Sequence, residues 1–217
     1  MLLTLDDKDY LIPQKWTEVS LGSYQKFTEA ATDETDEHTT NLNAISALIG
    51  VPMQVLEKCK NSDIDELRKV LGKLTEVVPN TTLNLIIEID GKRYGFHPNL
   101  KDITFGEFVD LDNYLENPLK NLHKVMGVLY REITFEKKGK YAVEEYDSLK
   151  SLKNADLFKD KLSIGTVNGA AAFFLNIGKQ YQAIMLSSLK AKNKKMILKQ
   201  PTRHLTESGD GTELSMV

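Results

Sequence analysis

The chain carries a single cysteine, Cys59, and a single tryptophan, Trp16, among 217 residues. One thiol excludes an intramolecular disulfide and fits a reducing compartment. No stretch reaches the roughly 18 consecutive apolar residues of a membrane-spanning helix. The opening residues, MLLTLDDKDY, lack the basic region and apolar run of a secretory leader, so no signal peptide is expected there. Excess charge of one sign is also missing: the net charge is −3, and no overall basic field points to nucleic acid. Phosphate-cradling patterns of the GxxxxGK[ST] or GxGxxG kind do not follow any candidate strand. The four histidines, His38, His97, His123 and His204, are scattered singly, without the i, i+4 pairing of a helical zinc site. Cys59 has no CxxC partner and no evident base, so nothing marks it as a nucleophile. Asp110 and Asp112 lie two apart on an expected helix, hence on different faces, which is poor geometry for shared proton transfer. These absences lead to an expectation of no catalytic residues, no cofactor and no metal.

What is present is an ordinary globular composition, 41% hydrophobic and 27% charged, on a chain long enough to bury a real core. The densest pattern lies in residues 86–131. Ile86, Ile87 and Ile89 suit a strand, Asp90-Gly91 suits a tight hairpin turn, and Tyr94 and Phe96 alternate about Gly95 as a returning strand would. Pro98 should stop the pairing near His97. Thr104, with Glu107 three residues on and Ile103 before it, predicts a capping box with a hydrophobic staple. Phe105, Phe108, Val109 and Leu111 are expected to form the apolar side of that helix. Asn117-Pro118 interrupts it, and Leu119, Leu122, Val125, Met126 and Leu129 mark the next stripe, with His123 on its exposed-looking side.

A fainter copy opens the chain. Residues 2–27 lie on 86–111 without a gap, with Asp6, Lys8, Tyr10 and Gly22 falling on Asp90, Lys92, Tyr94 and Gly106 as identities. Ser20 falls on Thr104 as the helix cap, and Trp16 is expected as a core anchor. The reading is an internal duplication, against the alternative that hairpin–helix units drift to similar patterns. The acidic, threonine-rich residues 29–40 read as a solvated linker, because their carboxylates lack the spacing and glycine-assisted turn of a cation site. Asn41 to Ile49 should be a helix ended by Gly50. Asp63 is expected to cap a further helix carrying Ile64, Leu67, Val70, Leu71 and Leu74.

Glu132–Lys140 reads as a charged loop or bent hairpin, Tyr141–Leu152 as a peripheral helix, and 153–161 as a charged connection. The most apolar helix is expected from about Leu162 through Leu189. Gly169 and Ala172 permit close approach of a neighbour, and Phe173 and Phe174 fill either the core or an interface. Lys190, Lys192, Lys194, Lys195 and Lys199 then give the C-terminal tail a basic character with little apolar surface to order it. No aromatic residues interleave with these lysines, so base stacking has no support, and nucleic-acid contact is not expected outside this tail. The tail and the acidic linker could meet each other, within one subunit or between neighbours. The expected fold is α+β: two pseudo-repeated β-hairpin-plus-helices units, 1–80 and 81–189, packed into one mainly helical domain, with an extended basic tail over 190–217.

Three segments carry a resemblance. These are Ile89-Asp90-Gly91-Lys92-Arg93-Tyr94, then Asn99-Leu100-x-x-Ile103-Thr104-Phe105-Gly106-Glu107-Phe108-Val109-Asp110-Leu111, and then Asn121-Leu122-His123-Lys124-x-Met126-x-Val128-Leu129-Tyr130-Arg131. Together they resemble small morphogenesis proteins of tailed bacteriophages, of the tail-assembly-chaperone-like and base-plate types. Phe173-Phe174-Leu175-Asn176-x-Gly178-Lys179 is similar to the helix that closes many of them. The likeness spans about residues 10–186 and departs from Lys190 onward. It implies no catalytic residues. It implies a non-enzymatic assembly or structural protein that binds another tail or virion protein (a tape-measure, base-plate or ring component) or itself. Such a protein works in the host cytoplasm during assembly and is either released or retained in the virion. Gly169, Ala172, Phe173, Phe174 and the five tail lysines are the expected partner contacts. A host-directed regulatory binding module and an unrecognised hydrolase remain as other classes.

Overall fold

Two short strands, β1 (Leu2–Leu5) and β2 (Lys8–Leu11), pair antiparallel at the start of the chain. The computed structural model describes residues 2–5, 8–32, 36–78, 80–97, 99 and 102–176. After a single turn at Trp16–Glu18, Ser20 caps α1 (Leu21–Ala31), its hydroxyl accepting the Ser23 N–H. Asp36 does the same for α2 (Glu37–Ile49) by accepting from Thr39 N–H, and Gly50 ends that helix at φ 70°. The short α3 (Met53–Leu56) and the long α4 (Asn61–Glu76) complete the first half.

The second half opens with β3 (Ile86–Ile89) and β4 (Lys92–Phe96), joined through Asp90 and Gly91 at φ 49° and 77°. Two positive φ values in succession are what a two-residue hairpin turn needs. α5 (Phe105–Leu115) and α6 (Leu122–Leu129) follow. α6 runs directly into β5 (Tyr130–Lys137), which pairs back on β4 and turns into β6 (Lys140–Val143). The result is a four-stranded antiparallel sheet in the order β3-β4-β5-β6, separate from the β1–β2 pair. α7 (Ser148–Lys161) and a final helix, α8, over the described residues 164–176 close the domain. The fold is therefore mixed α and β, with a mainly helical body.

All described residues fall in one compact unit, Met1–Ile177. Its core joins both halves. Tyr94, Phe96 and Tyr130 project from one face of the sheet. Tyr94 meets Phe158 of α7 edge-on at 5.1 Å between centroids, and Phe96 meets Tyr130 at 5.3 Å. Trp16 is buried as expected and donates its indole N–H to the Val77 carbonyl at the end of α4. The start of α1 is stitched to the α7–α8 junction by two backbone bonds, Leu21 N–H to Leu162 O and Ile164 N–H to Val19 O. Gly127 lets α6 approach α7: a β-carbon there would lie 2.4 Å from the Ser151 carbonyl oxygen.

The two hairpin–helix units share one register. Moving β1, β2 and α1 forward by 84 positions places β1 on β3, α1 on α5 and the cap Ser20 on the cap Thr104. Cross-strand partners also correspond: Leu3 faces Tyr10 as Ile87 faces Tyr94, and Leu5 faces Lys8 as Ile89 faces Lys92.

Some local expectations change. α4 starts at Asn61 after Lys60, two residues before Asp63, so Asp63 sits in its first turn and does not cap it. The segment 144–147 is a connection, and 148–161 is helical throughout. The alternating charges of 153–161 occupy the outer side of α7, while Ser151, Asn154, Ala155 and Phe158, three and four apart, are buried. His123 is buried, not exposed, because α1 packs Gln25 against it.

Candidate functional site

A buried charge cluster fixes the orientation of α5. Glu107 occupies the third helical position, where the helix N-terminus favours a carboxylate. The capping box is complete: Glu107 Oε2 accepts the Thr104 N–H at 2.6 Å, and Thr104 Oγ1 accepts the Glu107 N–H at 3.3 Å. Glu107 is only 1% exposed. Its Oε1 lies 2.8 Å from Arg131 Nη2 on β5 and 3.3 Å from His97 Nε2 at the end of β4. The Arg131 contact is close but poorly aligned as a hydrogen bond, so charge rather than direction holds it. His97 Nδ1 accepts the Asn99 N–H, which leaves the ring proton on Nε2, facing the carboxylate. Burial holds His97 below the ordinary imidazole value, against the opposing pull of Glu107.

With Glu107 and Leu111 turned inward, the opposite face of α5 looks out. That face is apolar. Phe105 is 81% exposed, and Phe108 and Val109 are each more than one-third exposed. Phe105 and Val109 line one wall of a groove of about 580 Å³ whose other wall is the start of α7, with Leu149 at its rim, 72% exposed. Tyr146 forms the floor. Its ring lies over Gly106, 3.4 Å from where a β-carbon would be, and its hydroxyl donates to Asp110. Burial and the Asp110 carboxylate push the phenol above its ordinary value, so it remains a donor. The charged side chains that line this groove, Asp110 and Asp147, are both acidic, and Lys150 beside it is paired with Glu144. Residues 102–119 include Asp102, Asp110, Asp112 and Glu116 and no lysine or arginine, and Glu144, Glu145 and Asp147 flank the far wall.

A second concavity, of about 500 Å³, lies between α1, the 117–121 connection and the start of α6. Its character is polar and basic. Gln25 Nε2 donates to Leu119 O and Lys120 O, both at 2.8 Å, and lies 3.0 Å from His123 Nδ1. The two carbonyl acceptors fix the amide with its NH2 group towards His123 Nδ1, so the neutral ring carries its hydrogen on Nε2. Burial, reinforced by Lys159 and Lys124, lowers the His123 pKa to about 4.

The expected partner contacts separate into three groups. Gly169 packs on its own chain: a β-carbon there would lie 2.2 Å from the Thr82 carbonyl oxygen. Phe174 belongs to the buried core. Phe173 is partly exposed and stands edge-on to Phe96 at 5.6 Å, and Ala172 beside it is half-buried. Lys190, Lys192, Lys194, Lys195 and Lys199 lie outside the described residues. Sequence reading placed Phe105 and Val109 on the apolar side of the helix, and the structure turns that side outward. Residues 102–119 hold several acids and no lysine or arginine, a charge asymmetry that the sequence already displayed.

Among the described residues no helix is long and apolar enough to cross a membrane, and no group of three His, Cys, Asp or Glu side chains is placed to hold a metal. Comparison with protein-family models, with curated proteins and with solved structures finds no match to this chain.

Proposed function

We propose that this protein is a non-enzymatic assembly or structural protein of a tailed bacteriophage that holds another tail or virion protein on the outward face of α5. The observation that carries the reading is the uncovered apolar wall of Phe105, Val109 and Leu149. Burying a side chain of this kind is worth about 1.5–3 kcal/mol, and soluble proteins rarely leave several together in water without a use for them. A groove of this form, with anchors on two helices, suits an amphipathic helix of the partner. The acidic surround favours a partner with basic flanks. Candidates by class are a tape-measure, base-plate or ring component, met in the host cytoplasm during assembly, with retention in the particle as the structural variant of the same role. The internal duplication belongs to this reading, supported by the common register of the two hairpins and their capped helices.

The test combines mass spectrometry of gradient-purified particles with capture of the tagged full chain from infected cells. Recovery of a tail or virion protein with the unaltered chain, and its loss with Phe105→Ser, supports the proposal. Recovery of host proteins alone points to a host-directed regulator and overturns it. Stoichiometric presence in particles selects the structural role, and absence from particles with capture in cells selects the chaperone role.

A further inference from the structure

α1 and α5 start from the same backbone shape, yet only one of the two starts is paired along its edge. Ser20, before α1, stands at φ −63° and ψ 154°, and Thr104, before α5, at φ −70° and ψ 161°. Glu18 closes a 3-10 turn just ahead of the first, and Asp102 stands in one just ahead of the second. The edge at Ser20 is filled by the chain itself. Residues 162–164, where α7 gives way to α8, bridge it in antiparallel fashion. Leu21 N–H donates to Leu162 O at 2.7 Å, and Ile164 N–H donates to Val19 O at 3.0 Å. Val19, Leu21, Leu162 and Ile164 are all buried by this pairing.

The same edge at Thr104 is open. As the first residue of its helix, Phe105 has no intrahelical acceptor for its N–H, and neither that group nor the Ile103 carbonyl is bonded among the described residues. Thr104 and Phe105 both stand in solvent. One part of the α1 cover does have a counterpart: the Tyr146 ring lies over Gly106 as the Lys159 stem lies over Gly22. Residues 162–164 have none among the described residues. We infer that the partner held on the α5 face supplies this piece, as an extended segment antiparallel to residues 103–105 with apolar side chains at its first and third positions. The inference rests on the docking role proposed for that face and states how the partner engages it. The segment's first carbonyl accepts the Phe105 N–H, and its third N–H donates to Ile103 O. Its first side chain falls opposite Phe105 and its third opposite Ile103, so the exposed ring is buried by the same contact. A helix cannot make this pair, because its backbone groups are bonded internally. The extended residues just beyond a helix end can, as they do after α7.

The full chain, labelled with nitrogen-15, is titrated by nuclear magnetic resonance with the end-capped peptide Asp-Lys-Leu-Ser-Ile-Gly-Thr, the chain's own residues 160–166. Expected are saturable shifts centred on the Phe105 amide, with the Leu21 amide unmoved because its edge is already filled. The same peptide methylated on its isoleucine nitrogen lacks the donor for Ile103 O and should bind about tenfold more weakly. Phe105→Pro tests the other bond. Proline suits the first helical position, and Thr104 already has the extended conformation that a following proline needs, so α5 keeps its start and loses only the N–H and the phenyl ring. Binding to Phe105→Pro should be weaker by about threefold or more than binding to Phe105→Ala, which keeps the N–H. Undiminished binding of the methylated peptide, equal binding by the two variants, or no saturation at the Phe105 amide overturns the inference. Capture of a virion protein without peptide binding removes the extended segment and leaves the docking role standing. Peptide binding without capture of a virion protein keeps the open edge and removes the phage role.

Discussion

α1 and α5 begin with the same cap at corresponding positions, yet their corresponding faces meet opposite fates. Leu21 and Phe105 are equivalent; the first is 0% exposed and the second 81%. Gln25 and Val109 are also equivalent, and here the polar residue is buried and the apolar one is more than one-third exposed. The cause is what lies across each face. Over α1, Lys159 of α7 crosses Gly22, and the 117–121 connection offers carbonyls to Gln25. Over α5 only the Tyr146 ring covers the corresponding Gly106. A polar group can be buried where backbone acceptors come to it, and on α1 they do. The apolar face of α5 has no such cover, which leaves Phe105 and Val109 in solvent.

The comparison breaks most severely at the position that corresponds to Ser23. There α5 has Glu107, a carboxylate buried against Arg131 and His97. Glu107→Ala removes the capping-box acceptor and leaves the Arg131 guanidinium buried without its counter-charge, so a loss of about 3–5 kcal/mol is expected in equilibrium urea unfolding. Ser23→Ala leaves its own N–H on Ser20 Oγ and removes only a hydroxyl contact, so less than about 1 kcal/mol is expected. Equal losses at the two positions would mean that α5 is not anchored through its charge cluster.

A second pair of substitutions separates burial from docking. Leu21→Ala opens a cavity beneath α1 and should cost roughly 3–4 kcal/mol. Phe105→Ala, at the equivalent exposed site, should change stability by less than about 0.5 kcal/mol while weakening capture of the partner. The contrast sharpens the functional reading, since a Phe105 that stabilises the isolated chain as Leu21 does would be a core residue and no docking anchor.

The local elements were legible because each rests on short-range chemistry. Asp90-Gly91 declared the hairpin, Thr104 with Glu107 declared the start of α5, and Gly50 the end of α2. The buried stripes of α4 and α6 were legible too, Ile64, Leu67, Leu71 and Leu74 on the first and Leu122, Val125, Met126 and Leu129 on the second. The outward apolar face of α5 was not, since it depends on elements distant in sequence. The apolar row of α5 was legible as a row, but nothing within 105–111 reveals that α7 leaves a groove beside it. The charges of 153–161 read as a connection, although the small residues Ser151 and Ala155 were there to let α6 approach along Gly127. Glu107 was identified as a capping residue, but Arg131, 24 positions away, gave no local sign that it would become its counter-ion. The orphaned oxygen of Gln25 was likewise beyond reach, because it exists only once Leu119 and Lys120 take the nitrogen of the same amide.

A dependence on pH tests whether Gln25 and the 117–121 connection bury His123 against α1. His123 is neutral in the folded chain, with its pKa lowered to about 4, whereas an unfolded histidine titrates near 6.5. Between these values the unfolded state binds the extra proton and the folded state does not. Stability from this group is therefore complete above about pH 6.5, falls as the pH drops towards 4, and levels off below that. The total is roughly 3 kcal/mol, of which about 2.5 kcal/mol is lost by pH 4.5. Urea unfolding of the unaltered chain and of His123→Gln at pH 7 and pH 4.5 isolates the effect from carboxylates, which titrate in both proteins. The unaltered chain should lose 2–3 kcal/mol more than the variant between the two pH values. Parallel losses would mean that His123 is hydrated in the folded state, and that Gln25 and the 117–121 connection do not close over α1.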